Sequence, residues 1–382
     1  MTSPTDRGEP DGMTVAHIEG RELPPEDVVV VAPPRVPVGL RIVYLVLGLG
    51  LFVTALGLMK EGAVGLIPTL EGSIFTDNAW STLGLGWLGA CIVLSGSPIA
   101  AASLALLDAD AISGLQSFTM LTGSRLGAAF VVLVAGGIYA LRKSGGGGRR
   151  APISIGILSL LVTMMVYVPA AAVGYVLLDH GAFDWVSIGT SPGITSVTDT
   201  LFGWTVDLAA DVLPRWMLFP AGLGVLLVGF QLFDKVMPAV GTEQIEHHSN
   251  AWYTRKWPMF LLGCGVCLLT LSVSVALTLL VPLVAKGHLR RANTIPYIAG
   301  ANITTLADTL VAAILLNNQV AVQVVVAVTI SVTVWTLLLL TFAYPALRRV
   351  CLGIARKALK SRVELAVFVA VLFAVPLALI AL

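Results

Sequence analysis

Two stretches of the chain repeat one design, and this repetition decides the predicted fold. The first reads LSGSP at residues 94–98 and GSRLG at 123–127, and the second reads LSVS at 271–274 and GANITT at 300–305. Both landmarks are displaced by the same 177 residues (271 − 94 and 300 − 123). Each copy places two small hydroxyl residues where an apolar segment breaks and a Gly-led polar cluster further on. Interrupted apolar segments at matching places in two halves indicate the binding site of a secondary transporter.

The composition is typical of a membrane protein. Of the 382 residues, 57% are hydrophobic and only 12% are charged, and the mean hydropathy is +0.90. Soluble domains carry about a quarter charged residues, so most of this surface is expected to face lipid. The net charge of +1 argues against nucleic-acid binding, which needs a dense basic patch. Residues 1–38 are polar and Pro-rich without a signal-peptide core, which predicts a disordered cytoplasmic tail.

Seven apolar runs are candidates for crossing the hydrocarbon core, which takes about 20 residues. They cover residues 40–59, 124–141, 152–178, 216–237, 303–316, 320–344 and 363–382. Lys and Arg in short loops mark the cytoplasmic side of a membrane, and here these loops give corresponding runs of the two halves opposite directions. The pattern therefore predicts an all-α polytopic membrane protein with two inverted-topology repeats and a cytoplasmic N-terminus.

The charges agree with this topology only if residues 80–123 and 258–302 each begin and end on one side of the membrane. We therefore expect a broken, re-entrant helical hairpin in each repeat. The two hairpins would enter from opposite faces and be buried where the repeats meet, because non-helical backbone at membrane depth must be shielded from lipid. The predicted domains are a tail (1–38), repeat 1 (39–178), an external loop (179–215), repeat 2 (216–345), and a basic linker with one extra C-terminal helix (346–382).

The quoted motifs resemble those of the type II sodium–phosphate cotransporter family. In that family, two inverted hairpins carry a Gln-Ser-Ser-Ser motif, each followed by a signature similar to GANIGTT. Residues 300–305 are similar to the second signature, and residues 123–127 are a degenerate form of the first, with Arg125 in place of Asn. The resemblance covers roughly residues 40–345 and implies a multi-pass protein of the cell membrane. Such a protein carries inorganic phosphate with Na⁺ by symport and alternating access.

The chain departs from the family at both hairpin tips. Leu94 and Leu271 replace the family's Gln, and Gly96 and Val273 replace its middle Ser. The resemblance implies that the remaining tip residues and the signatures bind the transported ions. The substrate-binding candidates are Ser95, Gly96, Ser97, Arg125, Ser272, Ser274 and Asn302, and the cation-binding candidates are Thr304, Thr305 and Asp308.

Two charged residues within apolar segments have alternative interpretations. Charges at such places are costly and usually have a functional partner. The Arg125 guanidinium could bind phosphate through two hydrogen bonds, take the place of a sodium ion, or extend to the external interface. Asp308, the only acid between 287 and 363, could bind Na⁺, carry a proton or serve as a structural hydrogen-bond partner. The four serines could bind substrate or allow tight helix packing.

The sequence contains no arrangement of a nucleophile and a base, so we do not expect an enzyme. No resident cofactor or metal is expected beyond the transported Na⁺ or H⁺. The expected partners are inorganic phosphate or a similar small anion and the lipid bilayer. Two alternatives stay open: a transporter of the same fold that carries another anion or is coupled to H⁺, and a non-transporting membrane scaffold. Loss of both Gln residues favours the scaffold, whereas the retained Ser pairs and the intact cluster at 300–305 count against it.

Overall fold

A computed structural model of the chain describes residues 37–142, 150–187, 203–236, 255–285 and 289–382. Every regular element within these ranges is a helix. Most of the predicted tail (1–36) and the central parts of two predicted loops (188–202 and 237–254) lie outside the described residues.

The helices are numbered here in chain order. They are α1 (Val38–Leu70), α2 (Ala79–Val93), α3 (Ser97–Asp108), α4 (Gly114–Ala128), α5 (Phe130–Arg142), α6 (Arg150–Asp179), α7 (Arg215–Val236), α8 (Lys256–Thr270), α9 (Val273–Thr278), α10 (Leu280–Ala285), α11 (Arg291–Thr304), α12 (Ala307–Leu315), α13 (Gln319–Phe342), α14 (Tyr344–Ala358) and α15 (Arg362–Ile380). Residues 203–212, just before α7, are also helical.

Seven helical segments in the described part of the chain are long and apolar enough to cross a membrane. They are Gly39–Leu70, Gly114–Arg142, Arg150–Asp179, Arg215–Phe233, Arg291–Leu315, Gln319–Phe342 and Arg362–Ile380. Each of them contains or overlaps one of the seven apolar runs of the sequence. The prediction of an all-α chain with several membrane-spanning helices is therefore confirmed, while the opposite orientation of the two repeats stays a prediction.

The two predicted hairpins share the same close helix contacts. A Cβ on Gly123 of α4 would lie 2.1 Å from the carbonyl oxygen of Leu83 in α2, and a Cβ on Gly300 of α11 would lie 2.2 Å from that of Phe260 in α8. Both residues of the second pair are 177 positions beyond those of the first. Only glycine lets two helix backbones approach so closely. A second matched pair of contacts joins Gly86 to Met120 and Gly263 to Tyr297.

Contacts between the two halves of the chain are also reciprocal. Helix α3, which returns from the first break, packs against α12, and α9, which returns from the second break, packs against α5. Likewise α4 packs against α13, and α11 packs against α6. Each of these two short helices therefore contacts the other half of the molecule as well as its own.

The helix breaks fall where the motifs placed them. Helix α2 ends at Leu94 (φ 57°) and α8 ends at Leu271 (φ 46°), and both residues adopt the left-handed conformation. This conformation is costly for a residue with a side chain and stops an α-helix. Helix α3 then starts at once, with Gly96 as its N-cap and Pro98 in its first turn, where the missing N–H of proline is tolerated.

The ends of the hairpins differ from the sequence boundaries. The sequence placed these ends at residues 123 and 302, but α4 continues to Ala128 and α11 continues to Thr304. The interruptions in the long helices come later, at Ala129 and at residues 305–306. The physical reason is that Gly123 and Gly300 are sites of close helix packing, and each lies within a continuous helix.

The last helix, α15, packs against the first hairpin. A Cβ on Gly84 of α2 would lie 2.5 Å from the carbonyl oxygen of Pro376 in α15. Gly86, which faces Met120 of α4, is two residues from Gly84, and two residues are about half a turn of an α-helix. Helices α15 and α4 therefore pack on opposite sides of α2.

Candidate functional site

Arg125 lies at the centre of a buried polar cluster that joins the two halves of the chain. It is in the last turn of α4, and only 2% of its surface is exposed. Its Nη1 donates hydrogen bonds to Oγ1 of Thr305 (3.1 Å) and, more weakly, to Oγ of Ser97 (3.5 Å). Its Nη2 donates to Oγ1 of Thr309. The guanidinium therefore points into the protein and does not extend to the external interface, which excludes one of the alternatives raised by the sequence.

Asp308 is the carboxylate partner of Arg125. Its Oδ1 lies 3.6 Å from Nη2 of Arg125 and accepts a hydrogen bond of 2.9 Å from the hydroxyl of Thr309. The side chain of Asp308 is 7% exposed and that of Arg125 is 1% exposed. Asp308 lies in the first turn of α12, where the positive end of the helix dipole favours an acid.

Both charged groups keep unused hydrogen-bonding capacity. Among the described residues, neither Nε of Arg125 nor Oδ2 of Asp308 has a hydrogen-bond partner. An unsatisfied buried polar atom costs about 1–3 kcal/mol, and such atoms are rare in native structures unless water or an ion is bound there. Within the described residues, the cluster therefore has one donor without a partner at the guanidinium and one acceptor without a partner at the carboxylate.

Asn302 is held by two residues of α6. The side-chain Nδ2 of Asn302 donates a hydrogen bond of 3.0 Å to Oγ1 of Thr163. The backbone carbonyl oxygen of Asn302 accepts one of 2.7 Å from the hydroxyl of Tyr167. Asn302 occupies the position in the second half that Arg125 occupies in the first, 177 residues earlier. These equivalent positions therefore have different partners: Arg125 contacts α12, and Asn302 contacts α6.

The hydroxyl residues at the two helix breaks play unequal parts. Ser97 contacts Arg125, whereas the Oγ of Ser272 accepts a hydrogen bond of 3.3 Å from the backbone N–H of Val275 and caps α9. Ser95 and Ser274 are half-buried beside these residues at the same breaks. Gly96 is buried so tightly that a Cβ would lie 2.8 Å from the carbonyl oxygen of Ser124.

Thr304 and Thr305 are neighbours with separate partners. Thr305 accepts a hydrogen bond from Arg125, as described above, and is 3% exposed. The Thr304 hydroxyl donates a hydrogen bond of 3.1 Å to the carbonyl oxygen of Cys264 in α8. Of the ten predicted site residues, the structure therefore joins four by direct contacts: Ser97, Arg125, Thr305 and Asp308.

The sequence did not single out three residues of this region. Thr309 links Arg125 to Asp308, and its position one helical turn after Thr305 was a usable signal. Thr163 and Tyr167 lie four residues apart on one face of α6, but nothing in their local sequence indicates that they contact Asn302. Their role follows from packing between distant segments.

The seven candidate spans in the described part of the chain indicate a multi-pass membrane protein. The sequence profile described as Na⁺/Pi-cotransporter matches residues 225–379, from within α7 to the end of α15. This match covers less than half of the chain and supports membership of the Na⁺/Pi-cotransporter family. It includes the motifs at 271–274 and 300–305 but not those at 94–98 and 123–127. The family is one of transporters and not of enzymes. Comparisons with curated proteins and with solved structures gave no match.

Proposed function

We propose that this protein is a Na⁺-coupled phosphate symporter of the cell membrane, and that the Arg125–Asp308 pair links the two ions. The observation that carries the proposal is the buried pair itself, with an unpartnered donor on Arg125 and an unpartnered acceptor on Asp308. A buried ion pair contributes little net stability, because both charges lose their hydration. Stability alone therefore does not explain why the two charges are buried together. Separation of Arg125 from Asp308 during transport would explain it.

The anion side of the site is built around Arg125. A guanidinium can bind two phosphate oxygens at once, and Ser97 lies next to it at the start of α3. Helix starts of this kind offer free N–H groups and a positive dipole end to anions. Ser95, Gly96, Ser272, Ser274 and Asn302 complete the proposed substrate set at the two breaks.

The cation side of the site is built around Asp308. Na⁺ prefers oxygen ligands. The proposed ligands are Oδ2 of Asp308 and the hydroxyl oxygens of Thr304 and Thr305. A cation at Asp308 would weaken its attraction to Arg125 and leave the guanidinium free for phosphate. By linkage, phosphate at Arg125 would raise the affinity for the cation by the same factor. Each ion therefore favours binding of the other, which a symporter requires.

The proposed transport mechanism is alternating access with two inverted repeats. In this mechanism one bundle moves against the other around a site near the middle of the membrane. The reciprocal packing of α3 on α12 and of α9 on α5 supports this proposal, because movement between the halves would open or close both breaks. A cytoplasmic N-terminus and opposite entry of the two hairpins are part of the same proposal.

Coupling to H⁺ is a second candidate that the same carboxylate favours. A proton on the buried Oδ2 of Asp308 would also cancel its charge and release Arg125. The two candidates differ in the gradient that drives uptake, so one transport assay separates them.

The experiment is uptake of radiolabelled phosphate into proteoliposomes that contain the full chain. The gradients are inward Na⁺, inward choline as the control, and a pH gradient without Na⁺. We expect uptake only with Na⁺ and its loss in Ser272→Ala and Asn302→Ala. Uptake driven by pH alone would transfer the coupling to H⁺, and no uptake under any gradient by folded protein would contradict phosphate transport. Thr329→Ala, in α13 and outside the site, is the control variant.

A further inference from the structure

A basic cavity at the end of several helices is separate from the transport site. It has a volume of about 650 Å³ and is lined by Leu359 and five cationic residues: Arg150, Arg291, Arg356, Lys357 and Lys360. Every charged residue of this lining is positive. In the described part of the chain, none of these five residues forms an ion pair with a carboxylate; the ion pairs there are Lys60–Asp108 and Arg125–Asp308.

The cavity lies where membrane-spanning helices begin and end. Arg150 is the first residue of one candidate span and Arg291 the first of another. The other three cations belong to the segment between Phe342, the last residue of a span, and Arg362, the first residue of the next. Residues at such positions lie near the lipid headgroups. The cavity is therefore at the height of lipid phosphates, on the side that Lys and Arg mark as cytoplasmic.

Helix α14, which carries part of the lining, has the character of an interfacial helix. Leu347, Cys351 and Ala355 form one buried face. Val350 (44% exposed) and Ile354 (38% exposed) form an apolar strip on another face, next to the exposed Arg349. An exposed apolar strip beside basic residues is typical of helices that lie at the membrane surface and attract anionic lipid.

We propose that this cavity binds the phosphate of an anionic lipid headgroup. Five cations that have no carboxylate partner among the described residues favour a group with more than one negative charge. Basic pockets between membrane helices bind such headgroups. The starts of α6 and α11, at Arg150 and Arg291, add the positive ends of two helix dipoles. The lipid would hold the segment from Tyr344 to Lys360 against the starts of α6 and α11. Both of these helices contribute to the Asn302 contacts, so the lipid would also fix part of the transport site.

The test measures binding of phosphatidic acid to the full chain in detergent by native mass spectrometry, with phosphatidylcholine as the neutral control. The variant is Lys357→Gln/Lys360→Gln, which removes two cations from the lining. The matched control is Arg348→Gln/Arg362→Gln, which removes two exposed cations from the same part of the chain but outside the lining. Each Lys near an anionic surface contributes roughly a factor of five in affinity, so the cavity variant should bind phosphatidic acid roughly 25-fold more weakly. The control variant should bind it as the wild type does.

A second arm identifies the source of the phosphate. Soluble tripolyphosphate is added to the wild type in place of lipid, and the thermal unfolding midpoint is recorded. A lipid site predicts strong retention of phosphatidic acid and a small response to tripolyphosphate. A large response to tripolyphosphate without retained lipid would overturn the lipid assignment in favour of a soluble polyanion. Equal loss in both double variants, or no loss in either, would show that the cavity is not a binding site.

Discussion

The Arg125–Asp308 pair makes the most direct prediction about stability. Arg125→Met removes the cation and leaves Asp308 buried with the Thr309 hydroxyl as its remaining partner. Asp308→Leu leaves a buried guanidinium with only hydroxyl partners. We expect either change to be strongly destabilising and the double variant to be much less so, because it removes both charges together.

The magnitude follows from the distance between the charges. At 3.6 Å and an effective dielectric constant of about 20, the attraction is roughly 5 kcal/mol. Removing one partner of a buried pair typically costs about 3–5 kcal/mol, whereas replacing both by apolar residues of similar volume is often neutral. The double-mutant cycle should therefore give a coupling energy of at least about 3 kcal/mol.

The assay is unfolding of the purified full chain in detergent, in choline buffer without phosphate so that no transported ion binds. Arg349→Met is the control, because Arg349 is exposed and, among the described residues, donates only to the carbonyl oxygen of Pro345 one helical turn earlier. A surface change of this kind usually costs about 0.5 kcal/mol or less. Two single variants that each cost less than about 1 kcal/mol and add in the double variant would refute the buried pair.

Three further predictions concern packing, hydrogen bonding and reactivity. Gly123→Ala should lower the stability of the protein by about 1–3 kcal/mol through overpacking, because its Cβ would lie 2.1 Å from a backbone oxygen. Gly137→Ala is the control and should not destabilise the protein, because nothing lies within 4 Å of its Cβ. Equal thermal unfolding midpoints of the two variants would contradict the close crossing of α2 and α4. Thr163→Val should cost about 1–3 kcal/mol because it leaves the Asn302 amide without its 3.0 Å partner; an unchanged unfolding midpoint would contradict this bond. Burial raises the pKa of the Cys351 thiol to about 11, so at pH 8 about one thiol in a thousand is ionised. Maleimide should therefore label Cys351 only after unfolding; labelling of the folded protein at the rate of a free thiol, read by mass spectrometry, would contradict its burial.

Much of the fold was predictable because its signals are local. A long run of apolar residues predicts a membrane-spanning helix without any knowledge of the rest of the fold. All seven runs correspond to candidate spans. The breaks at Leu94 and Leu271 were also predictable, since small and helix-breaking residues cluster beside them. The helix ends near residues 123 and 302 were not, because a glycine that breaks a helix and one that packs against a neighbour look alike in sequence. The neighbouring helix decides between them.

The two charged residues of the polar cluster were predicted, but their contacts and their hydroxyl partner Thr309 were not. A charge in an apolar segment is conspicuous, so both Arg125 and Asp308 were found. Their pairing depends on packing between α4 and α12, which are far apart in the chain, and no local pattern encodes it. The structure excludes one alternative for Arg125, extension to the external interface, because the guanidinium is buried with an acid and three hydroxyls. Phosphate binding and replacement of a sodium ion stay predictions.

The central claim is that a cation at Asp308 frees Arg125 for phosphate. Its most direct test is equilibrium binding of radiolabelled phosphate to the purified protein in Na⁺ and in choline, for the wild type and for Asp308→Asn. We predict that Na⁺ raises the phosphate affinity of the wild type at least tenfold and leaves that of Asp308→Asn unchanged. Equal phosphate affinity of the wild type in Na⁺ and choline, or full Na⁺ dependence in Asp308→Asn, would contradict the claim.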